Sequence, residues 1–401
     1  MKVAYVWTGV VLAALGHGFL WTGLVNRLHG LSGPRWLIKS ITIALVVAFA
    51  VLPLALMRRY GSSLGASAFN PFGHGDVAGW YLRLCALVGG ASLIVKPWIE
   101  SQRYDRRVLQ RWTQQYSPAT EALGPSLLAG GVARALGRIP GNEALKLSID
   151  RKRLALPALP AKLDGLTIVH LSDLHMTGRV GRGFYECLTR QVNELRPDVI
   201  AVTGDIVEHE SCWPWLAETL GRLCAPMGVY FVLGNHDVLI DENRTRELLV
   251  EAGLVYVGGR CLRCDWNGAA VTVIGNELPW LRPAEPVQPP AKAGGEFRLA
   301  LCHTPDQFGF GVRASADLVL AGHTHGGQVQ APLLGVIASP SLHGTRYACG
   351  VFRRRTTVMH VSRGISSETP LRWRSPPELA LLELTPGGAG ASPVGRRPGG
   401  A

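Results

Sequence analysis

The chain has 401 residues, enough for a large core and more than one structural region. Its 47% hydrophobic content is high for a soluble protein, and its formal net charge is +12. Residues 1–164 carry 19 lysines and arginines against 7 aspartates and glutamates, whereas residues 165–385 carry 20 against 22. The basic character of the first part favours contact with anionic lipid head groups, and the absence of a basic stripe interleaved with aromatics in the rest disfavours a nucleic-acid partner.

Residues 1–98 are predicted to form a transmembrane region of two or three helices. Residues 3–25 and 41–57 are apolar runs of about the length that crosses a bilayer. Residues 80–98 are a weaker third candidate, because two basic residues lie inside the run. The alternative is a signal peptide followed by buried helices, but it leaves the second run unexplained and no small-residue cleavage site stands out.

The remainder of the chain divides into three further segments. Residues 99–139 have a mixed-charge pattern that predicts a helical connector. Residues 140–385 alternate β-branched runs with helical spacing, which predicts a layered α/β domain. Residues 386–401 are a low-complexity sequence rich in glycine and proline, which predicts a disordered tail.

Seven candidate metal-binding side chains stand in five short blocks of the α/β segment. Each block directly follows a short apolar or β-branched run, the pattern of a buried strand with a ligand at its carboxyl end. The carboxyl ends of neighbouring parallel strands meet at one edge of a sheet, so these side chains are expected to lie together. The seven residues are Asp173, His175, Asp205, Asn235, His303, His323 and His325.

The residue types indicate the kind of metal. Asp, Asn and His suit Mn²⁺, Fe or Zn²⁺ in an open catalytic site better than a structural zinc site rich in thiolates. Cys261 and Cys264 form one CxxC, but no second pair completes a zinc site. Two adjacent ions need a bridging ligand, and a carboxylate such as Asp205 does this best. Such a pair can bind a phosphate ester and make hydroxide available near neutral pH.

These blocks resemble a known family. Asp-x-His, Gly-Asp, Gly-Asn-His-Asp, a single His and Gly-His-x-His, in that order, are similar to the calcineurin-like metallophosphoesterases, over about residues 165–385. The strings GHTHGGQ at 322–328 and VSRG at 361–364 resemble the membrane-anchored bacterial branch, which includes calcineurin-like UDP-2,3-diacylglucosamine hydrolases. The resemblance implies a layered α/β/β/α sandwich preceded by a helical transmembrane region, and a metal-dependent phosphoric ester hydrolase.

The resemblance also implies a role for each motif residue. His236, Asp205 and Asn235 would be the catalytic residues, with His236 near the leaving oxygen as general acid or phosphate donor rather than as a ligand. Asp237 would orient a neighbouring imidazole. The first metal would be held by Asp173, His175 and His325, the second by Asn235, His303 and His323, with Asp205 bridging the two.

Three arginines late in the domain are candidates for binding the substrate's phosphate: Arg346, Arg363 and Arg372. A guanidinium gives bidentate contacts to phosphate oxygens. The alternative for each is a solvated surface arginine.

The combined hypothesis is a membrane-anchored phosphoesterase with two divalent ions, acting on a phosphoester or pyrophosphate that is lipid-linked. A second hypothesis is a general phosphodiesterase with a soluble substrate, and a third is a non-catalytic scaffold, which the complete ligand set disfavours. The expected location is the bacterial inner membrane, in several passes. With three spans, the excess of Lys and Arg favours a cytoplasmic catalytic domain, whereas two spans would reverse the orientation.

Overall fold

The computed structural model describes residues 2–60, 75–283, 287–289 and 291–387. Contacts divide the chain into two compact units. Residues 1–101 with 331–346 form one, called here the helical unit, and residues 102–330 with 347–401 form the other, called the sandwich unit. The seven candidate ligands all belong to the sandwich unit.

The helical unit contains three long apolar helices: α1 (Lys2–His29), α2 (Arg35–Tyr60) and α3 (Val77–Ser101). Each is long and apolar enough to cross a membrane, so the predicted second and third spans are both helices. Helices α1 and α3 approach closely at two glycines. A Cβ on Gly16 would lie 1.7 Å from the carbonyl oxygen of Cys85, and one on Gly89 would lie 2.0 Å from that of Leu12. Small residues therefore allow these two backbones to touch, as is usual between helices in lipid.

The sandwich unit, together with residues 331–346, alternates short helices with strands. Its helices are α4 (Pro118–Leu123), α5 (Gly131–Gly137), α6 (Arg182–Glu194), α7 (Trp213–Glu218), α8 (Glu242–Glu251) and α9 (Phe308–Arg313). The strands are β1 (Leu109–Tyr116), β2 (Ser148–Leu156), β3 (Thr167–Leu171), β4 (Val199–Thr203), β5 (Val229–Val232), β6 (Val255–Tyr256), β7 (Cys261–Trp266), β8 (Ala269–Asn276), β9 (Phe297–Cys302), β10 (Leu318–Ala321), β11 (Gln330–Ala331), β12 (Gly335–Val336), β13 (Gly350–Arg354), β14 (Thr357–Val361) and β15 (Glu378–Pro386).

Most of these strands form two sheets. The first has the order β1-β2-β15-β3-β4-β5-β6, and the second has the order β13-β14-β10-β9-β8-β7. Strands β3, β4 and β5 are parallel neighbours in the first sheet, and β8, β9, β10 and β14 are parallel in the second. The last strand, β15, lies between β2 and β3, parallel to the former and antiparallel to the latter.

Successive residues along the strands pack into different apolar clusters, which shows that the two sheets are stacked in the middle of four layers. In β3, Ile168 belongs to the apolar cluster between the sheets, whereas Val169 packs with helices α6, α7 and α8 on the outer face. In β9, Leu299 faces the first sheet, whereas Ala300 packs with Phe308 of α9. Successive side chains of a strand point to opposite faces, so the order of layers is helix, sheet, sheet, helix. The predicted α/β/β/α sandwich is confirmed.

The predicted domain boundaries need a correction. The segment 99–139, expected to be a helical connector, contains strand β1, which pairs antiparallel with β2 along its length. The sandwich unit therefore begins at Gln102 and not near residue 140. The polar composition of β1, with three glutamines, a threonine and an arginine among its eight residues, hid a strand at the edge of the sheet. Of the expected tail at 386–401, Pro386 ends β15, and residues 388–401 lie outside the described part of the chain.

A group of buried charges joins strands of the two sheets. Lys152 of β2 forms an ion pair with Glu378 of β15 and lies 3.0 Å from Nε2 of His360 in β14. Arg363 pairs with Asp150 at 3.1 Å and reaches Glu378 at 3.6 Å. These charges are almost inaccessible to water, so each depends on its partners.

Replacing Lys152 by methionine should leave an uncompensated buried carboxylate, with a loss of about 3–5 kcal/mol in the free energy of unfolding. Arg153→Met is the matched control, because Arg153 is the next residue of the same strand and its ion pair with Glu383 is about half exposed. Exposed pairs contribute about 0–1 kcal/mol. Denaturant midpoints of the detergent-solubilised protein measure both changes. Equal shifts for the two variants would contradict the structural role of Lys152.

Candidate metal centre

Each candidate ligand follows the end of a strand, as the sequence pattern predicts. Asp173 and Asp205 come two residues after the ends of β3 and β4, and Asn235 comes three residues after β5. In the second sheet, His303 directly follows β9, and His323 and His325 follow β10. The parallel strands therefore deliver ligands from both sheets to one end of the sandwich.

The backbone is left-handed at five of the seven candidate ligands. The φ angles are 53° at Asp173, 43° at His175, 53° at Asp205, 69° at His323 and 51° at His325. Residues with a Cβ adopt this conformation at a cost of roughly 1–3 kcal/mol each, and they do so mainly at functional sites. Because five ligands share this conformation, the loops must be held firmly in place, and they direct the five side chains toward one point.

Two glycines make room for the carboxylates. A Cβ on Gly322 would lie 1.7 Å from Oγ of Ser172 and 2.4 Å from a carboxylate oxygen of Asp173. A Cβ on Gly234 would lie 2.3 Å from Oδ1 of Asp205. The glycines of the Gly-His-x-His and Gly-Asn-His-Asp blocks are thus required because the loops approach one another closely.

The structure brings together the three residues predicted for the first metal. Ligand atoms of Asp173, His175 and His325 all lie within 4.8 Å of one another. Nε2 of His175 is 3.0 Å from Nε2 of His325, and Oδ1 of Asp173 is 3.6 Å from the latter nitrogen. Two imidazole nitrogens and a carboxylate oxygen thus face one small space, an arrangement that suits a divalent cation.

The second predicted set also converges. Asp205, His303 and His323 form a group whose ligand atoms lie within 4.8 Å of one another, and Oδ1 of Asn235 is 3.0 Å from Nε2 of His303. Oδ2 of Asp205 lies 3.2 Å from Nε2 of His303 and 3.7 Å from Nε2 of His175. One carboxylate therefore stands between the two sets, in the position predicted for a bridge.

The outer nitrogens of the histidines show which atom is left for a metal. Nδ1 of His303 lies 2.7 Å from the carbonyl oxygen of Thr203, which can only accept, so Nδ1 donates and, in the neutral imidazole, Nε2 is the nitrogen that carries the lone pair. Nδ1 of His175 contacts the carboxylate of Glu208 in the same way, and Nδ1 of His325 faces the carbonyl of Ser366 at 3.1 Å. Such partners are usual for metal-binding histidines.

His323 gives an independent test of whether the residues fit a metal. Its Nε2 is buried, and no described residue offers it a hydrogen bond. A buried polar atom without a partner is costly, and a cation in the adjoining set would satisfy it. The donor set, the orientation of the imidazoles and this nitrogen all fit a divalent metal ion.

Burial and charge oppose each other at the two carboxylates. Burial raises the pKa of Asp173, and the nearby charge of Asp205 adds to that rise although imidazoles of the site oppose it. Burial would also raise the pKa of Asp205, but the imidazoles of His303 and His236 hold that pKa well below its ordinary value. Cations between the carboxylates would favour the charged form of both.

Glu208 was not identified from the sequence and takes an important position. Its carboxylate contacts Nδ1 of His175 and lies 3.2 Å from Nδ1 of His236. Burial would raise the pKa of Glu208, but hydrogen bonds from the two imidazoles lower it to about 2. The only signal in the sequence was its place three residues after Asp205, which brings it to the same loop.

Glu208 and Asp205 also determine the charge of His236. Burial lowers the pKa of His236, but the two carboxylates outweigh burial and raise it to about 9. These two carboxylates therefore favour the protonated imidazolium form of His236, whose side chain is partly exposed. This state suits proton donation better than metal ligation.

Asp237 does not orient an imidazole, contrary to the expectation. Its Oδ1 accepts from the backbone N–H groups of Ile206 and Val207 at 2.8 and 3.1 Å, and its Oδ2 accepts from Gly234 at 2.7 Å. Asp237 therefore joins the loop after β4 to the loop after β5. The orienting role that was expected of it belongs to Glu208.

The structure corrects the predictions for two of the three arginines. Arg363 is buried and directs its guanidinium to Asp150 and to the carbonyl of Pro376, so its predicted role in substrate binding is wrong. Arg372 lies 3.2 Å from Nδ1 of His325, but it is fully buried and donates to backbone carbonyls, including those of Arg363 and Ser375. Arg372 therefore stabilises the loop that carries His325, and its side chain is not accessible to a substrate. Arg346 belongs to the helical unit, and its role stays a prediction.

Trp280 is a second residue that sequence reasoning missed. Its half-buried ring lies 4.8 Å from the ring of His323 and 5.6 Å from that of His303, measured between centroids. It forms an apolar wall on one side of the second ligand set. A single tryptophan in a Pro-rich stretch gave no local signal for this position.

Comparison with known proteins agrees with this geometry. The family model of the calcineurin-like phosphoesterases matches residues 166–327. The chain is 30% identical to the Phosphodiesterase YaeI of Escherichia coli over 54% of this chain and 81% of that protein. It is 29% identical to the uncharacterized metallophosphoesterase YkuE of Bacillus subtilis, over 56% of this chain and 81% of the relative.

A further relative is the UDP-2,3-diacylglucosamine pyrophosphatase LpxG of Chlamydia muridarum, 26% identical over 59% of this chain and 88% of that protein. The matched regions include the loops that carry the converging ligands. The chain therefore belongs to the calcineurin-like phosphoesterase family and is a metal-dependent phosphoric ester hydrolase.

Proposed function

We propose that this chain is a membrane-anchored phosphoesterase with two divalent metal ions, acting on a lipid-linked phosphoester or pyrophosphate. The observation that carries the proposal is the position of Asp205, whose Oδ2 lies between Nε2 of His303 and Nε2 of His175. Two sets of ligands joined by one carboxylate suit two adjacent cations better than one.

The chain's residues would divide the work as follows. Asp173, His175 and His325 would hold one ion, Asn235, His303 and His323 the other, and Asp205 both. When bound, Mn, Fe or Zn ions supply Lewis acidity to the phosphoryl group and lower the pKa of water. The protein contributes the fixed positions of the ligands, which the left-handed loops and the contacts of the outer nitrogens maintain.

His236 would donate a proton to the oxygen of the leaving group. Asp205 and Glu208 face it and favour its protonated form, and it is partly exposed, so a substrate can reach it. Its backbone N–H donates to Oδ1 of Asp205 at 2.7 Å, which fixes the imidazole beside the bridging carboxylate. A general acid held in this way typically contributes about a hundred- to ten-thousandfold to the rate.

A lipid-linked substrate is supported by the helical unit and by one relative. Three apolar helices suggest membrane association, and most of the excess positive charge lies in the first 164 residues. The pyrophosphatase relative is named for a diacylated sugar nucleotide. A soluble substrate is the second candidate, since another relative is named simply a phosphodiesterase.

The arrangement of the helices supports a cytoplasmic sandwich unit at the inner membrane of a bacterium. The C-terminal ends of α1 and α3 both contact residues 336–345, so these ends lie on one side, and three crossings place the N-terminus on the other. The side on which the chain continues past α3 then carries seven Lys and Arg near the helix ends against three on the opposite side. The positive-inside rule assigns the former to the cytoplasm.

The first test measures metal content and substrate preference. The full-length protein in detergent should bind about two divalent ions per chain, counted by elemental analysis after metal loading and desalting. It should hydrolyse bis(4-nitrophenyl) phosphate in a metal-dependent manner, and a vesicle-borne nucleotide–lipid pyrophosphate faster. One ion or fewer in folded protein would contradict the dinuclear site, whereas preference for the soluble ester would favour the second candidate.

Asp205→Asn should reduce turnover on the order of a hundredfold or more, and more than the loss of any non-bridging ligand. The amide keeps the shape of the side chain but removes the charge that would hold two cations together. Turnover at saturating metal is measured beside the metal content. Asp164→Asn, a change at an exposed residue of a turn, is the control. Near wild-type turnover would contradict the bridging role.

Glu208→Gln should reduce turnover about ten- to hundredfold and move the alkaline limb of the pH–rate profile to lower pH. The raised pKa of His236 means that its protonated form is lost only as pH rises through that pKa, and without Glu208 the loss begins earlier. Glu210→Gln is the control, because Glu210 is an exposed carboxylate two residues along. An unchanged alkaline limb would contradict the assignment.

A further inference from the structure

One loop of the later sequence belongs to the helical unit. Residues 331–346, APLLGVIASPSLHGTR, lie between the loop of His323 and His325 and strand β13, yet they group with the three apolar helices. Residue 331 comes only six positions after His325. The loop is called here the docking loop.

Asn26, near the C-terminal end of α1, holds the middle of the docking loop. Its Oδ1 accepts from the N–H of Ser339 at 3.0 Å, and its Nδ2 donates to the carbonyl of Ile337 at 3.3 Å. Its own carbonyl accepts from the N–H of Ser341 at 3.1 Å. The side chain is 5% exposed, so these bonds are made away from water, where polar contacts between helices and loops are specific.

Lys96, near the C-terminal end of α3, holds both flanks of the loop. Its Nζ donates to the carbonyl of Val336 and to Oγ1 of Thr345, the latter at 2.9 Å. Lys96 is 9% exposed although it lies in an apolar helix. Burying a charged lysine in such a helix costs free energy unless its hydrogen-bond partners stay in place. The loop is therefore held permanently at this end of the helical unit.

The outer surface at this end of the helical unit is apolar. Leu333 of the docking loop is 92% exposed, and Trp36, at the start of α2, is 70% exposed. The docking loop contains no Asp or Glu, and its one formal charge is that of Arg346. Exposed apolar and aromatic side chains together with basic charge at the ends of apolar helices are typical of a membrane–water interface.

We propose that the docking loop is a membrane-contacting element that inserts Leu333 into the interfacial layer of the bilayer crossed by the helices. The occupant of this surface is lipid, because the loop is hydrogen-bonded to the ends of two apolar helices, α1 and α3, and itself lacks acidic charge. The inference rests on the proposed function in that it takes the helices to lie in a membrane. Its consequence is that the loop carrying His323 and His325 is tied along the chain to the lipid surface, which favours substrates presented there.

The contact itself is tested by photocrosslinking. Leu333 is replaced with benzoylphenylalanine in the full-length protein, which is reconstituted in phosphatidylcholine–phosphatidylglycerol vesicles and irradiated. Mass spectrometry is expected to find lipid adducts at position 333. The same replacement at Val250, a half-exposed residue of α8 in the sandwich unit, is the control and should give fewer. Adducts to a second copy of the chain, or no excess of lipid adducts over the control, would overturn the proposal.

The functional consequence is tested with two aryl diesters. Leu333→Asp should reduce hydrolysis of vesicle-borne hexadecyl 4-nitrophenyl phosphate about tenfold and that of dissolved bis(4-nitrophenyl) phosphate less than twofold. Val250→Asp should change neither rate. Equal loss on both esters, or loss on neither, would contradict the role of the loop. Wild-type protein inactive on both esters, but with lipid adducts at position 333, would instead contradict the proposed function and leave the membrane contact established.

Discussion

The structure depends on the burial of two carboxylates, Asp173 and Asp205, close to one another at the end of the sandwich. Both are inaccessible to water, and each is surrounded by imidazoles whose outer nitrogens are already engaged. Negative charge in a low-dielectric place requires compensating positive charge. The converging Nε2 atoms present lone pairs, and the imidazoles cannot all be positively charged at once. Metal ions would supply the missing positive charge and complete the site.

The sandwich fold offsets the energetic cost of this arrangement. Five ligands sit in left-handed backbone at a cost of roughly 1–3 kcal/mol each, and the parallel strands on either side fix where each loop starts. Backbone hydrogen bonds then connect loop to loop: the N–H of His175 donates to the carbonyl of Asp205 at 2.9 Å, and that of Gly322 donates to His303 at 2.8 Å. Strained ligands persist because buried strands on both sheets hold the loops between them.

The sequence allowed prediction of the ligands because each follows an apolar strand directly, which is a local pattern. It did not allow prediction of Glu208 or of the internal role of Arg363, since both depend on which side chains meet after folding. Arg363 is paired with Asp150, a residue 213 positions earlier, through the packing of β2 beside β15. Strand β1 was missed for a similar reason, because a polar edge strand is recognised by its partner and not by its own composition.

The ligand His303 is linked to the charged core through Thr203. The carbonyl oxygen of Thr203 accepts from Nδ1 of His303, and its hydroxyl is 2.8 Å from Nε2 of His170. His170 in turn lies 2.9 Å from His360, which contacts the Lys152–Glu378 pair. Glu378 begins β15, the strand inserted between β2 and β3. This strand completes the charge network that contacts Thr203 through His170 and His360. The C-terminal part of the described chain therefore takes part in positioning His303, which lies 75 residues before Glu378.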